Sequence, residues 1–437
     1  MKHNTGIQML VLAAVPFIMV LGNSMLIPLL PAFEKFLNVS AAKSGLFITM
    51  FSLSAGLVIP VAGFLSDRVG RKTVMAPALV VYGLGGIVSG LGAIWLRERA
   101  YSVMLAGRLI QGIGAGGTYQ LAMALVGDVF QTSERAKSLG ILESANALGK
   151  VVSPVAGAAL GLVSWFMPFF VYAALAVPAG VAVWLVVREP RQQKTPPDLS
   201  KYFGDFQRIF RRHAGALVVV FLSGAIVLWA LFGWLSYYSD LLETPYGIVG
   251  IKKGLVLAVP VLVLATLSYV VGVMQQKNLA RFSRAGLALG LGLVAAAMAM
   301  GIFLRHLFAL SGLLVLLAAG TGLVLPALNL LATSVAPLDE RGLLTCLYGT
   351  VRFFGVAIGP PVFGWAQKNL TPVMLAGAVL AATALVLALW LVHPQRILSR
   401  QFSGPSAKDQ TKGQSPRPRS AGQWEPHVKT PPPKASR

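Results

Sequence analysis

Cysteine and histidine are nearly absent from this 437-residue sequence. Cys346 is the single cysteine, which excludes an intramolecular disulfide or a thiolate metal site. The five histidines lie in loops or at the ends of hydrophobic runs: His3, His213, His306, His393 and His427. No two carboxylates share one hydrophobic run. No phosphate-binding loop of the Walker type is present either. We therefore expect no metal, no cofactor, no use of ATP and no enzymatic active site.

Acidic residues are also scarce, with 15 Asp and Glu against 37 Lys and Arg, a net charge of +22. Hydrophobic residues make up 56% of the chain and the mean hydropathy is +0.71, more apolar side chain than a soluble domain can bury. Runs of about 20 apolar residues, each long enough to cross a bilayer as a helix, recur along the chain. We predict twelve transmembrane helices, at residues 7–30, 45–66, 73–95, 102–126, 137–162, 166–187, 214–238, 254–275, 285–304, 308–334, 342–366 and 373–392.

The first run is too long for the core of a signal peptide and is predicted to stay in the protein as the first span. Lys and Arg are concentrated in the segments that lie on the side of the amino terminus, so both termini are predicted to be cytoplasmic. The tail, residues 394–437, is basic and rich in Pro and Ser, and is predicted to be disordered. Its charge favours contact with anionic lipid over nucleic acid, which we do not expect as a partner.

A long charged segment divides the runs six and six. We predict a first bundle over residues 1–190, a cytoplasmic linker over 191–213 and a second bundle over 214–393, with an amphipathic surface helix at Leu199–Phe210. The halves align at a constant offset of 206, which places Gly149 over Gly355 and Pro154 over Pro360. Two parallel six-helix halves are typical of transporters.

The segment "GFLSDRVGRK" follows the second run and resembles the loop signature of the major facilitator superfamily. The matching residues are Gly63, Asp67, Arg68, Gly70, Arg71 and Lys72. "RLIQGIGAGG", from Arg108, and "GKVVSPVAG", from Gly149, are similar to signatures of proton-coupled drug exporters, although Ser153 replaces the usual glycine. The segments "LESANALGKVVSP" and "ERGLLTCLYGTVRFFGVAIGPP" resemble segments of exporters of Gram-positive bacteria, siderophore exporters among them.

This resemblance implies an all-α fold of twelve helices in two six-helix bundles related by a pseudo-twofold axis, with the transport pathway between them. It also implies a helix-packing motif that comprises Gly149, Pro154, Gly157, Gly359, Pro360 and Gly364. In this fold the Asp67 loop faces the start of span 11, near Gly342. A carboxylate at a helix start is favourable, so Asp67 is expected to latch the halves together. The alternative is that the basic residues of the loop only set the orientation.

Charged residues inside predicted spans are costly and usually face a partner or a wet cavity. Glu143, Asn146 and Lys150 share one stripe of span 5, about 10 Å apart from end to end, so Glu143 and Lys150 do not form a simple ion pair. Depth along the helices places Arg108 and Arg352 near the level of Lys150. We expect an anion-attracting cavity with Glu143 as the proton-responsive group, assisted by Arg108. The alternative is that these residues only staple helices together.

Other candidate cavity residues are aromatic or amides. Trp229 and Phe232 lie deep in span 7 and could stack a planar ligand, and Asn23 and Asn329 lie in spans 1 and 10. Helix-to-helix hydrogen bonding is an equal alternative for the two asparagines. The ring residues Trp234, Tyr237 and Tyr238 are predicted to form an interfacial belt.

The sequence therefore predicts a monomeric, multi-pass transporter of the cell membrane. Its function is the export of a small amphipathic or anionic organic compound, such as a drug or a siderophore, by alternating access in exchange for protons. The expected partners are this small molecule, protons and the lipid bilayer. The alternatives are a proton- or ion-coupled importer and a membrane sensor that does not transport.

Overall fold

The computed structural model describes residues 2–129, 132–189, 199–304, 306–334 and 341–392. The regular elements in these ranges are all helical: α1 (Lys2–Ser24), α2 (Leu30–Leu37), α3 (Ala41–Val69), α4 (Arg71–Trp95), α5 (Ala100–Gly116), α6 (Tyr119–Val129), α7 (Thr132–Val163), α8 (Met167–Val186), α9 (Leu199–Glu243), α10 (Gly250–Lys277), α11 (Leu279–Met300), α12 (Leu307–Ser334), α13 (Arg341–Trp365) and α14 (Thr371–Leu391). Short 3-10 helices at Ile27–Leu29 and Arg97–Arg99 precede α2 and α5. The predicted tail and the linker residues 191–198 lie outside these ranges.

Eleven helical segments of the described chain are long and apolar enough to cross a membrane. The fourth predicted run supplies the remaining pass as two shorter helices in series, α5 with 17 residues and α6 with 11. The all-helical membrane architecture is thus confirmed. Span 1 consists of α1 and α2, span 4 of α5 and α6, and each other span of one helix.

The prediction of a continuous fourth helix is wrong, because the helix is interrupted at Gly117 and Thr118. The amide of Gly117 donates to the carbonyl of Gly114, and the Thr118 hydroxyl donates to the carbonyl of Ala115 at 2.6 Å. These short-range bonds end α5 where several glycines lower the helix propensity. The break sets the direction of Tyr119, the first residue of α6.

Two further predictions on span 7 are corrected. The segment Leu199–Phe210 is no separate surface helix, since α9 runs unbroken for 45 residues and no proline interrupts it. Trp234 and Tyr238 are buried inside the bundle and do not form an interfacial belt: Trp234 is packed near Gly301, and Tyr238 bonds to Ser311 on α12. Neighbouring helices enclose the last turns of α9, which periodicity within one helix does not reveal.

The helices alternate between two ends of the bundle. The Pro28 end holds Pro28, the end of α9 and the start of α10, and is predicted to face outward. The Asp67 end holds the α3–α4 junction and the end of α8, and is predicted to face the cytoplasm. The 3-10 turn at Pro28 carries span 1 on to Leu37, beyond its predicted end, since a proline without an N–H group breaks the regular helix there.

Packing between the halves follows a pseudo-twofold pattern. Span 2 packs against span 11, and the symmetry-related pair, span 8 and span 5, packs in the same way. The Thr49 hydroxyl donates to the carbonyl of Ala357 at 2.6 Å, and the Thr350 hydroxyl donates to that of Gly56 at 2.8 Å. The fold class is confirmed. Because the halves pack as one compact unit, the domain boundaries remain a prediction.

Candidate functional site

Side chains of α7 form the first wall of a candidate cavity. Glu143 is exposed and accepts a hydrogen bond at 2.6 Å from the hydroxyl of Tyr119, which the break after α5 directs toward α7. Lys150 lies half-buried two turns further along the helix. The described contacts contain no ion pair between Glu143 and Lys150, in agreement with their separation along the helix. Asn146 lies between them and donates at 3.5 Å to the carbonyl of Pro16 on α1, so it holds helices together.

Arg352 on α13 forms the opposite wall. Its Nη1 donates to Asn329 Oδ1 on α12 at 3.4 Å, and its guanidinium lies 5.3 Å from the centre of the Tyr348 ring. Its Nε atom is buried and has no hydrogen-bond partner among the described residues. Arg352 is within electrostatic range of both Lys150 and Tyr119, so the two cations, one from each half, lie close enough to repel each other. An anion between them would relieve their repulsion.

Arg108 is placed elsewhere. It is fully buried, and it donates to the carbonyl of Phe47 at 2.8 Å, to Gln111 Oε1 at 2.6 Å and to Asn23 Oδ1 at 3.0 Å. Its guanidinium also lies 4.4 Å from the centre of the Phe51 ring. These neutral partners on α1, α3 and α5 fit the stapling alternative. No described contact joins Arg108 to Glu143. Asn23 shares this cluster, since its amide donates to Ser52 at 2.7 Å.

The aromatic candidates of α9 lie within the second half. The ring of Trp229 contacts that of Phe363 on α13, with centroids 5.7 Å apart, and also faces Gly377 on α14. Phe232 is half-buried and packs on the same apolar core. The structure therefore places both residues in packing contacts of α9 and does not bring them to Lys150 and Arg352.

The loop signature builds a charged network at the Asp67 end. Arg71 pairs with Asp67 at 3.1 Å and with Asp128, the acid near the end of α6, at 2.5 Å. The carboxylate of Glu189, just after α8, accepts the backbone amides of Arg71 at 2.6 Å and Lys72 at 3.0 Å. It thereby caps the start of α4, where unpaired amides and the helix dipole favour a negative charge.

The remaining loop residues support this geometry. Gly70 has a φ of 101°, a conformation that other residues rarely adopt. Arg68 lies over the Phe64 ring at 4.4 Å, and Lys72 over the Trp184 ring at 5.6 Å.

The second turn of α13 lies against this loop. A side chain built at Gly63 would meet the Cys346 thiol at 2.9 Å, and Cys346 is within electrostatic range of Asp67. The predicted contact of Asp67 with the start of α13, near Gly342, stays a prediction.

The predicted packing motif lies at close helix contacts. A Cβ atom at Gly149 would be 3.0 Å from the carbonyl oxygen of Phe17, and one at Gly157 would overlap that of Met25, both in span 1. In the second half, Gly359 meets the carbonyl of Trp229, Gly364 meets the backbone of Ala41, and Pro360 meets Gly45. The Pro154 carbonyl lies 2.8 Å from a Cβ built at Gly254 on α10. These positions require small residues because two backbones meet there.

Sequence reasoning missed three residues of these sites: Tyr119, Asp128 and Glu189. Tyr119 depends on a helix break that hydropathy does not register. Asp128 and Glu189 lie at the ends of spans 4 and 6, on the same side of the membrane as the Asp67 loop. This shared side was the one signal in the sequence that could have indicated their contact with the loop.

Comparison with known proteins agrees with this architecture. A family model described as Major Facilitator Superfamily matches residues 12–360 and 253–431. The chain is 36% identical over 391 residues to the bacillibactin exporter of Bacillus subtilis (strain 168), covering 88% of this chain and 95% of that protein. It is 27% identical over 221 residues to multidrug resistance protein 2 of the same organism, covering 51% and 54%.

The fold also resembles a solved structure, that of a bacterial homolog of the human lysosomal transporter Spinster in an inward-facing and unoccupied conformation. The TM-score is 0.67 at 18% identity, and the match covers 91% of this chain and 97% of that one. At this identity the likeness concerns the fold alone.

Proposed function

Because the chain belongs to the major facilitator superfamily, we propose that it is a secondary active transporter that exports a small anionic organic compound of the siderophore or drug class. Protons flowing inward drive the export, and the solute crosses by alternating access. Both termini lie in the cytoplasm and the protein works in the cell membrane. The relative named as an exporter favours outward transport over the importer alternative.

The observation that carries the anionic class is the pair of cations across the cavity. Lys150 comes from the first half and Arg352 from the second, and among the described residues Glu143 is the one acidic group that acts on the charge of Lys150. An anionic solute can bridge the two cations, so its binding favours a state in which both halves close around it. Glu143 is exposed to the cavity and is the group proposed to carry the coupling proton.

Everted membrane vesicles that contain the protein test this function directly. With an acidic interior, bacillibactin, the compound in the name of the 36% identical relative, is expected to accumulate inside. Adding a protonophore should release it, and vesicles without the protein serve as the control. Accumulation in right-side-out vesicles alone would indicate an importer. If no anionic or neutral organic compound accumulates in either preparation, the transport proposal is wrong.

The Asp67 loop is proposed to hold the cytoplasmic end closed for part of the cycle. Asp67 lies beside Arg71 and near the second turn of α13, so its charge acts between the two halves. The latch forms when the Asp67 end closes and breaks when the pathway opens to the cytoplasm.

Replacing Asp67 with Asn is expected to lower the transport rate about tenfold or more, because a charge-assisted hydrogen bond contributes roughly 1.5–3 kcal/mol. Expression should stay normal, since the apolar helices are unchanged. Transport is measured in vesicles with equal protein. The control is Glu98→Gln, which removes an exposed carboxylate at the opposite end. Normal transport by Asp67→Asn would rule out the latch.

A further inference from the structure

Lys253 is buried where a lysine is least expected. It lies in the first turn of α10, and its residue is 1% exposed, whereas the neighbouring Lys252 is exposed. The sequence pattern places both in an outer loop. Burying an ammonium group costs free energy, and the start of a helix, with its partial positive charge, disfavours a cation further. The surroundings of Lys253 must therefore compensate for both effects.

Two strong acceptors provide this compensation. The ammonium group donates to the carboxylate of Glu243 at the end of α9 at 2.7 Å, and to the carbonyl of Pro28 at 2.8 Å. Glu243 and Lys253 belong to the second half, whereas Pro28 belongs to span 1 of the first half. The buried charge thus joins the two halves at the Pro28 end.

Further contacts surround this bond. One turn before Glu243, the Ser239 hydroxyl donates to the carbonyl of Ile27 at 2.8 Å, which is a second bond between the halves. Asp240 accepts a hydrogen bond at 2.9 Å from Gln367, just beyond α13. Glu34 on α2 is within electrostatic range of Lys253, Asp240 and Glu243.

Three carboxylates meet between the two halves at this end, so their close approach depends on the positive charge of Lys253. Glu34 approaches from the first half, and Asp240 and Glu243 approach from the second. Without the ammonium group these carboxylates would repel each other across the junction of the two halves. With it, each carboxylate has a cation nearby, and the ammonium also binds a backbone carbonyl of the first half.

We propose that Lys253 is the residue that holds the Pro28 end closed, as a positioning residue for the transport cycle. The inference rests on the proposed alternating-access function. When the Pro28 end opens, the bond from Lys253 to Pro28 breaks, the ammonium group meets water, and Glu34 separates from Asp240 and Glu243. When the end closes again, Lys253 joins the carboxylates of the two halves.

The test measures the separation of the two halves at this end in the full-length protein. Spin labels are placed on the exposed positions Lys35 and Tyr246, each changed to Cys, in a Cys346→Ser background. Double electron–electron resonance spectroscopy then gives the distribution of distances between the two labels, with the protein in lipid nanodiscs without substrate. Lys253→Met is expected to raise the ratio of long to short distances by at least about tenfold, as for the loss of a hydrogen bond to a charged group. The matched control, Lys252→Met, should leave the distribution unchanged.

A second substitution tests the electrostatic part. Adding Glu34→Gln to Lys253→Met removes the repulsion between the halves and is expected to restore much of the short distance. If Lys253→Met does not fold, Ser239→Ala removes only the bond to Ile27, and a shift of about two- to tenfold in the same direction is expected. Unchanged distances in every folded variant, or equal shifts in Lys252→Met and Lys253→Met, would overturn the inference.

Transport assays separate this inference from the proposed function. Because the distances are recorded without substrate, they report on Lys253 even if the solute class is wrong. If wild-type protein moves no solute in vesicles while Lys253→Met shifts the distances, the proposed function fails and the closing role of Lys253 stands. Normal export by the wild-type protein, with distances that Lys253→Met does not shift, would support the proposed function and overturn the closing role.

Discussion

Replacing Glu143 with Gln is expected to abolish export driven by a pH gradient while substrate still binds. Glutamine has nearly the shape of the protonated carboxyl and can still accept the hydrogen bond from Tyr119, but it cannot release a proton. The variant should therefore permanently mimic the state in which Glu143 is protonated. Gradient-driven uptake into everted vesicles measures transport. Equilibrium binding of the substrate to purified protein measures whether the variant still binds it.

The control for this experiment is Tyr119→Phe, which keeps the aromatic ring and the carboxylate but removes the hydroxyl bond. It should retain gradient-driven export, because the group that binds the proton is still present. Export by Glu143→Gln at the wild-type rate, with an unchanged pH profile, would show that the coupling proton binds elsewhere. Loss of folded protein in all three variants, Glu143→Gln, Lys150→Ala and Arg352→Ala, would instead favour the stapling alternative.

Removing either cation of the cavity is expected to weaken the binding of anionic substrates specifically. At an effective dielectric constant of about 20, a unit charge roughly 6–10 Å away contributes about 1.5–3 kcal/mol, so Lys150→Ala or Arg352→Ala should lower the affinity about tenfold or more. Neutral or cationic compounds should bind as before or better. Binding is measured for a matched set of anionic and neutral compounds.

Two variants separate charge from bulk at this site. Lys150→Arg keeps the charge and should retain more function than Lys150→Met, although the geometry of Arg is stricter. Lys137→Ala removes an exposed cation from the same helix and should leave the affinity unchanged. Equal losses for anionic and neutral compounds would contradict an anion-binding role.

The membrane spans are predictable because burial in lipid is a local property. Each stretch of about 20 apolar residues gains free energy in the bilayer regardless of its neighbours, so hydropathy locates all twelve predicted spans, and eleven of them form helical segments long enough to cross the membrane. The remaining span, span 4, forms two shorter helices, and the sequence did not predict the break after Gly117 because that break does not lower the hydropathy. The same limit explains α9, since hydropathy marks where a helix leaves the membrane but not whether it continues beyond.

The candidate site was predictable only in part. The exceptional cost of a charge inside a span identified Glu143, Lys150, Arg108 and Arg352. It did not show that Arg108 would be enclosed by Asn23 and Gln111, because depth along a helix says nothing about the direction in which a side chain points. Tyr119 was missed because its position depends on the helix break after Gly117, which hydropathy does not register.

The sequence by itself thus determined the membrane class, the number of passes and the loop signature, since each depends on neighbouring residues. Only the tertiary structure decided which polar groups meet. The bond from Lys253 to Pro28 spans 225 positions of the chain, and that from Arg108 to Asn23 spans 85. A buried charge is tolerated where a partner from another helix satisfies it, and that partner's position is set by the packing of the whole bundle.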